Sequence, residues 1–352
     1  MIFNLTDTWF VSRLGTDELA AMGFTFAVVM MVGALAIGFS SGAASIITRA
    51  LGSGNKALAA RTVSDGIFLT IAGTAVVSIA GLLTIDPLFS LLGAEGRILE
   101  LVHDYMAIWF IGAIAAVMPP VSDGCLRAAG DVKRPMIVMC VAALINIILD
   151  PILIFGWGPF PAMGMEGAAL ATLIARIVAM MASLSFLHFN HRLIDWTRPH
   201  LREMVLSWKE IFRLGIPAAL TQALNPVAQG FYIRLAADTG GVQAVAAMAT
   251  GTRIEAFLLI LAYAYGIALV PFVGHNYGAE AHDRVQESRR ISNRLALMYA
   301  GITLLILLPT ARPLSALFSQ DSAVVRLSTV YLMIAAIGMS GGLTSMWMSQ
   351  LL

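Results

Sequence analysis

The chain has 352 residues, of which 59% are apolar and only 12% charged, with a net charge of +1 and a mean hydropathy of +0.83. Globular domains usually carry about 25% charged residues. A chain this poor in charge cannot cover a water-facing surface, so a pair of soluble domains is excluded and the sequence reads as an all-α polytopic membrane protein.

A hydrocarbon core about 30 Å thick takes about 20 residues of helix. The chain opens on an apolar segment, residues 1–12, which rises only about 18 Å as a helix. It reads as the end of a span whose beginning is missing. Nine longer apolar stretches follow, at residues 19–47, 66–85, 105–126, 136–156, 167–189, 211–236, 242–273, 293–311 and 329–352. With the opening segment as span one, the connections after spans two, four, six and eight hold 15 Lys and Arg residues, among them Arg49, Lys133, Arg202 and Arg289. The opposite ends hold 5: Arg13, Arg97, Arg234, Arg312 and Arg326. By the positive-inside bias the first group is cytoplasmic, and so is the N-terminus. The expected location is the inner (plasma) membrane.

An internal repeat runs through the chain at an offset of 226 residues. Ala20-Ala21-Met22 recurs as Ala246-Ala247-Met248, Gly52 as Gly278, Pro87-Leu88 as Pro313-Leu314, Tyr105 as Tyr331 and Gly112 as Gly338. Six spans per copy return the chain to the same side, which predicts two six-helix bundles in a pseudo-twofold parallel repeat. The expected division is an N-terminal bundle at 1–189, a polar cytoplasmic linker at 190–210 and a C-terminal bundle at 211–352. Residue 352 corresponds to residue 126 of the first copy, so about 10 of 12 helices are expected and spans eleven and twelve are missing. A natural ten-span protein is the alternative.

Polar groups inside the spans mark candidate sites, because each is expensive in hydrocarbon. The strongest set is Asn146-Ile-Ile-Leu-Asp150-Pro151. Asn146 and Asp150 are one turn apart on the same face, and Pro151 cannot donate to the carbonyl of Ile147. A carboxylate, an amide oxygen and a freed carbonyl make a hard-oxygen site for Na⁺, or for a proton on a desolvated carboxylate. The alternative is that Asp150 merely caps a broken helix near the outer interface. Asp7, with Asn4 on the same face, is a second candidate, within the membrane or in water according to what precedes it. Thr172 closes a small-residue run, Gly167-Ala-Ala-Leu-Ala-Thr172, and is either a ligand or a packing residue. Arg176, one turn on, and Arg253 and Glu255 in span eight are charges at depth that need partners. Asp123 is expected near the cytoplasmic interface. Cys125 and Cys140 sit in apolar stretches, so neither a disulfide framework nor a thiolate metal site is expected. No basic block with interleaved aromatics occurs, which excludes nucleic-acid binding. No P-loop, zinc-protease or Ser-nucleophile motif is present, so the chain does not read as an enzyme.

Together these residues resemble the multidrug and toxic compound extrusion (MATE) family, in its DinF-like branch. Asn4-Leu-Thr-Asp7-Thr-Trp-Phe-Val-Ser-Arg13 is similar to the first-helix signature. Leu126-Arg127-Ala-Ala-Gly130-Asp131, Asn146-Ile-Ile-Leu-Asp150-Pro151, Gly164-Met-Glu-Gly167 and Pro271-Phe-Val-Gly274-His-Asn276-Tyr-Gly278 follow in the family's order. The resemblance implies an antiporter that exports amphipathic, often cationic drugs in exchange for H⁺ or Na⁺ by alternating access. It implies a cation site at Asp7, Asn146, Asp150 and Thr172, with Na⁺ possible at the first three. Asn4, Arg176, Arg253 and Glu255 are candidate supporting groups. No cofactor beyond the coupling ion is expected, and the partners are organic cations and the lipid bilayer, with the chain as a monomer. Another branch uses acids in helices seven and ten. Span seven here offers Gln222 and Asn225 and span ten has no acid, so that site is not expected. A flippase for a lipid-linked precursor is the alternative function. It is disfavoured because only Arg176 and Arg253 lie at depth to hold a pyrophosphate. An inactive fragment is a further alternative.

Overall fold

The computed structural model describes residues 2–157, 160–195, 201–319 and 321–349. Their regular elements are helices: α1 Ile2–Val11, α2 Thr16–Gly52, α3 Lys56–Leu91, α4 Gly96–Ile111, α5 Ala113–Ala128, α6 Lys133–Phe155, α7 Gly164–Ser185, α8 Leu201–Gly278, α9 His282–Ala316 and α10 Ser322–Ser349. A π-helical turn, Phe186–Asn190, extends α7. Among the described residues seven helices are long and apolar enough to cross a membrane, and α4 and α5, bent by 52° at Gly112, add an eighth crossing as a pair. A straight α8 would reach about 117 Å, roughly four membrane cores. Its backbone leaves the helix at Gly241, with φ 62° and ψ −156°, a conformation open essentially to glycine alone. α8 therefore holds two crossings, and the nine apolar stretches are accounted for.

The 226-residue offset reappears in the helix boundaries. α2 ends at Gly52 and α8 at Gly278; α3 begins at Lys56 and α9 at His282; α4 begins at Gly96 and α10 at Ser322. The copies differ at one joint: Gly112 separates α4 from α5, whereas Gly338 lies inside an unbroken α10.

Contacts divide the chain into two units, residues 1–51 with 55–223 and residues 52–54 with 224–352. In the first, α6 packs on α7, α5 on α7, α3 on α4 and α5, and α1 on α6. Lipid is as apolar as a leucine side chain, so burial of apolar area does not drive these contacts; close approach does. A Cβ on Gly167 would stand 2.5 Å from the carbonyl oxygen of Leu153, so only glycine lets α7 approach α6 this closely. The start of α8 belongs to the first unit as well. Ile211 is fully buried in a cluster with Ala43, Ile47 and Val63, and the Trp208 indole N–H donates to the Asp65 carbonyl at 2.9 Å. In the second unit, Ile254, Leu307 and Leu332 form one core and Ala262, Leu269 and Trp347 another.

A polar knot closes one end of the first unit. In the turn after α5, the Asp131 carboxylate accepts from the Arg134 guanidinium at 2.6 Å and from the Arg134 backbone N–H at 3.1 Å. His191, just past the π-helical turn, lies 2.9 Å from the same carboxylate. Burial opposes ionisation of Asp131, but hydrogen bonds from His191 and Arg134 outweigh it and hold the carboxyl down at about 2. A carboxyl depressed in the folded state stabilises the fold above its unfolded pKa and loses that contribution as pH falls through the folded value.

Two outcomes are expected in detergent melting experiments. Gly167→Val lowers the thermal midpoint, at a cost of about 1–3 kcal/mol for overpacking, while Gly23→Ala, where an added methyl meets nothing within 4 Å, leaves it unchanged. Asp131→Asn costs about 1 kcal/mol at neutral pH, and the gap between parent and variant closes as pH falls from about 4 toward about 2.

Candidate ion-binding site

α6 places Asn146 and Asp150 one turn apart, both fully buried. The Asn146 amide N–H₂ donates to Asp150 Oδ1 at 3.0 Å and reaches Thr172 Oγ1 of α7 at 3.4 Å. The glycine contact between Gly167 and Leu153 is what brings Thr172 this near. Pro151 lies inside α6, so the Ile147 carbonyl has no N–H four residues on to accept from.

α1 supplies Asp7, 5% exposed and packed toward α6 and α7. Phe10 of the same helix meets Phe155 edge-on at 6.2 Å, which fixes α1 against the end of α6. The charges of Asp7 and Asp150 repel each other. Asp7 Oδ1, Asn146 Oδ1 and Asp150 Oδ2 are buried with no hydrogen-bond partner among the described residues. Each such oxygen costs about 1–3 kcal/mol, and more where it is charged. All three are acceptors, and Asn146 has already turned its donor on Asp150 and Thr172. What this cluster lacks is positive charge, which a proton or a hard cation supplies.

Asp7 and Thr172 also line a cavity of about 200 Å³, together with Tyr105, Trp109, Arg176 and Phe26. Asn146 and Asp150 do not line it, so the cavity reaches the cluster through Asp7 and Thr172. Tyr105 and Trp109, one turn apart on α4, were not among the candidates from sequence. The only signal for Tyr105 was its repeat partner Tyr331, and an aromatic in a span is ordinarily packing.

The structure brings Asp7, Asn146, Asp150 and Thr172 to one region of the first unit and sets Arg176 on the adjoining cavity. The side chains of Asn4 and Asn225 lie outside the described residues. Arg253 and Glu255 belong to the second unit, where Arg253 is exposed and Glu255 accepts a hydrogen bond from Tyr331 at 2.6 Å. Gln222 is exposed. Asp123 is buried within the first unit, where α5 packs on α7 and Ser183 donates to its carboxylate at 2.7 Å.

The MatE family model matches residues 1–152 and 217–352. A protein named FAD transporter from Shewanella oneidensis is 38% identical over 332 residues, covering 94% of this chain and 73% of that one. A probable multidrug resistance protein NorM from Thermotoga maritima is 27% identical over 329 residues, covering 93% of this chain and 70% of the other. Among solved structures, the Vibrio cholerae MATE transporter VcmN in its bent form superposes with a TM-score of 0.91 at 28% identity, covering 99% of this chain and 78% of that one. A family match over most of the chain, on a bundle of membrane-crossing helices, identifies this polypeptide as a member of the MATE family of membrane transporters.

Proposed function

We propose that the chain is a secondary active exporter of organic amphiphiles that takes H⁺ or Na⁺ in exchange, in the cell membrane, as a monomer with a cytoplasmic N-terminus. The observation that carries this reading is the set of three buried, partnerless acceptor oxygens on Asp7, Asn146 and Asp150 beside a cavity. Such a cluster is stable only in the company of a cation or proton, so its occupancy biases the conformation of the helices that hold it. Shifting a two-state equilibrium from 1:99 to 99:1 requires about 5.5 kcal/mol of differential binding. Two carboxylates that repel each other and lose that repulsion on neutralisation are well placed to contribute to it.

For cargo, relatives named as multidrug resistance and multidrug export proteins support drugs of several kinds. A second cargo has its own support: the relative at 38% identity is named FAD transporter, which favours a flavin dinucleotide. Both rest on the same ion-coupled cycle.

The test is efflux of a fluorescent organic cation from proteoliposomes, under an imposed Na⁺ gradient and then a pH gradient. Gradient-dependent efflux is expected from the parent. Asp150→Asn and Asp7→Asn should lower it by at least about tenfold, equivalent to about 1.4 kcal/mol of ion affinity, with the protein still inserted. Thr172→Val, which removes one weak contact, should cost less. Undiminished efflux in both Asp variants would overturn the ion site.

A further inference from the structure

We infer that Arg176 gives the cavity of the N-terminal unit a second electrical pole, and that the cavity selects dipolar amphiphiles whose anionic group lies on Arg176 while a positive or hydrogen-donating end meets Asp7. This deepens the transport reading above and rests on it for physiological meaning, though not for its test.

The argument starts from composition of the lining. A cavity serving only cations gains from carboxylates and aromatic faces, and a guanidinium in it repels the cargo. Here Asp7 and Arg176 line the same cavity of about 200 Å³. An arginine at membrane depth is expensive and persists where something compensates its charge. Asp123 acts electrostatically on Arg176, and Ser183 holds the Asp123 carboxylate. Asp123 itself does not line the cavity. A guanidinium with a cavity beside it suits a carboxylate or phosphate, because its planar fork matches both groups geometrically.

The second pole also fits the demands of exchange. Antiport requires cargo and ion to compete for a common group. An anion alone would be repelled by ionised Asp7 and would bind better with the ion than without it. A dipolar molecule avoids this: its positive or donating end displaces the ion at Asp7, and its anionic end is held elsewhere. Tyr105 and Trp109 provide flat surfaces along the wall. Phe26, 52% exposed, and Met30, 40% exposed, lie where a larger ring system could extend beyond the cavity.

The test uses two dyes that differ in one group. Rhodamine B carries a xanthylium cation and a free carboxylate; in its ethyl ester the carboxylate is masked. Equilibrium binding of each is measured by fluorescence anisotropy to the protein in nanodiscs, at fixed pH and Na⁺ and without a gradient. The parent is expected to prefer rhodamine B to the ester. Arg176→Gln should abolish that preference, lowering rhodamine B affinity about tenfold with the ester unchanged or tighter, and Arg176→Lys should retain most of it. Ester binding in Arg176→Gln also reports that the variant is folded. Equal preference in parent and Arg176→Gln, equal loss of both dyes in the variant, or binding of neither dye to the parent would overturn the inference. If the preference holds but no gradient drives the dyes across a membrane, the transport reading falls and the assignment of Arg176 stands.

Discussion

Hydrocarbon offers no hydrogen bonds, and that single property organises this molecule. Backbone groups must be satisfied within each segment, which restricts the described spans to helices. The same rule applies to side chains and sorts them. In the N-terminal unit Ser40 donates to the Pro120 carbonyl, Ser78 to the Phe110 carbonyl and Ser183 to Asp123. These groups are closed circuits that fasten one helix to another. Asp7, Asn146 and Asp150 are buried, and each keeps one oxygen without a hydrogen-bond partner among the described residues. Burial and satisfied hydrogen-bonding capacity are thus separate properties of a polar group in this unit.

Keeping three acceptors unsatisfied is costly, so the surrounding packing must hold them in place. Glycine and proline do much of that. Gly167 brings α7 against the Leu153 carbonyl and so carries Thr172 to Asn146. Pro151 removes a donor next to Asp150 without ending α6, which runs on to Phe155. Gly112 bends the α4–α5 pair, and a side chain at that point would collide with Leu173 of α7. The arrangement is built from residues that contribute little chemistry of their own and set the distances at which other residues meet.

The spans were legible in the sequence because a bilayer imposes one length and one polarity. Asn146 and Asp150 were legible because their relation is local, one turn on one helix. Thr172 was ambiguous alone, since nothing in the order of residues states how close α7 comes to α6. Tyr105, Trp109 and the cavity were not legible at all, as they depend on how α2, α4 and α7 pack. Glu255 was seen to need a partner, but only the packing of α10 reveals it as Tyr331. The start of α8 shows the opposite limit: a polar stretch at 190–210 marks a change of composition, whereas contacts continue in the first unit to Ala223.

The duplication leaves one comparison inside a single polypeptide. Tyr105 and Tyr331 occupy the same position of the two copies, by the offset that also relates the helix boundaries. The Tyr331 hydroxyl donates a hydrogen bond to Glu255, while Tyr105 lines a cavity with a carboxylate and a guanidinium. At this position the two copies have parted: Tyr331 is spent on a contact within its own unit, whereas Tyr105 faces open space. A change at Tyr331 is therefore felt as a loosened helix contact, and a change at Tyr105 as an altered cavity wall.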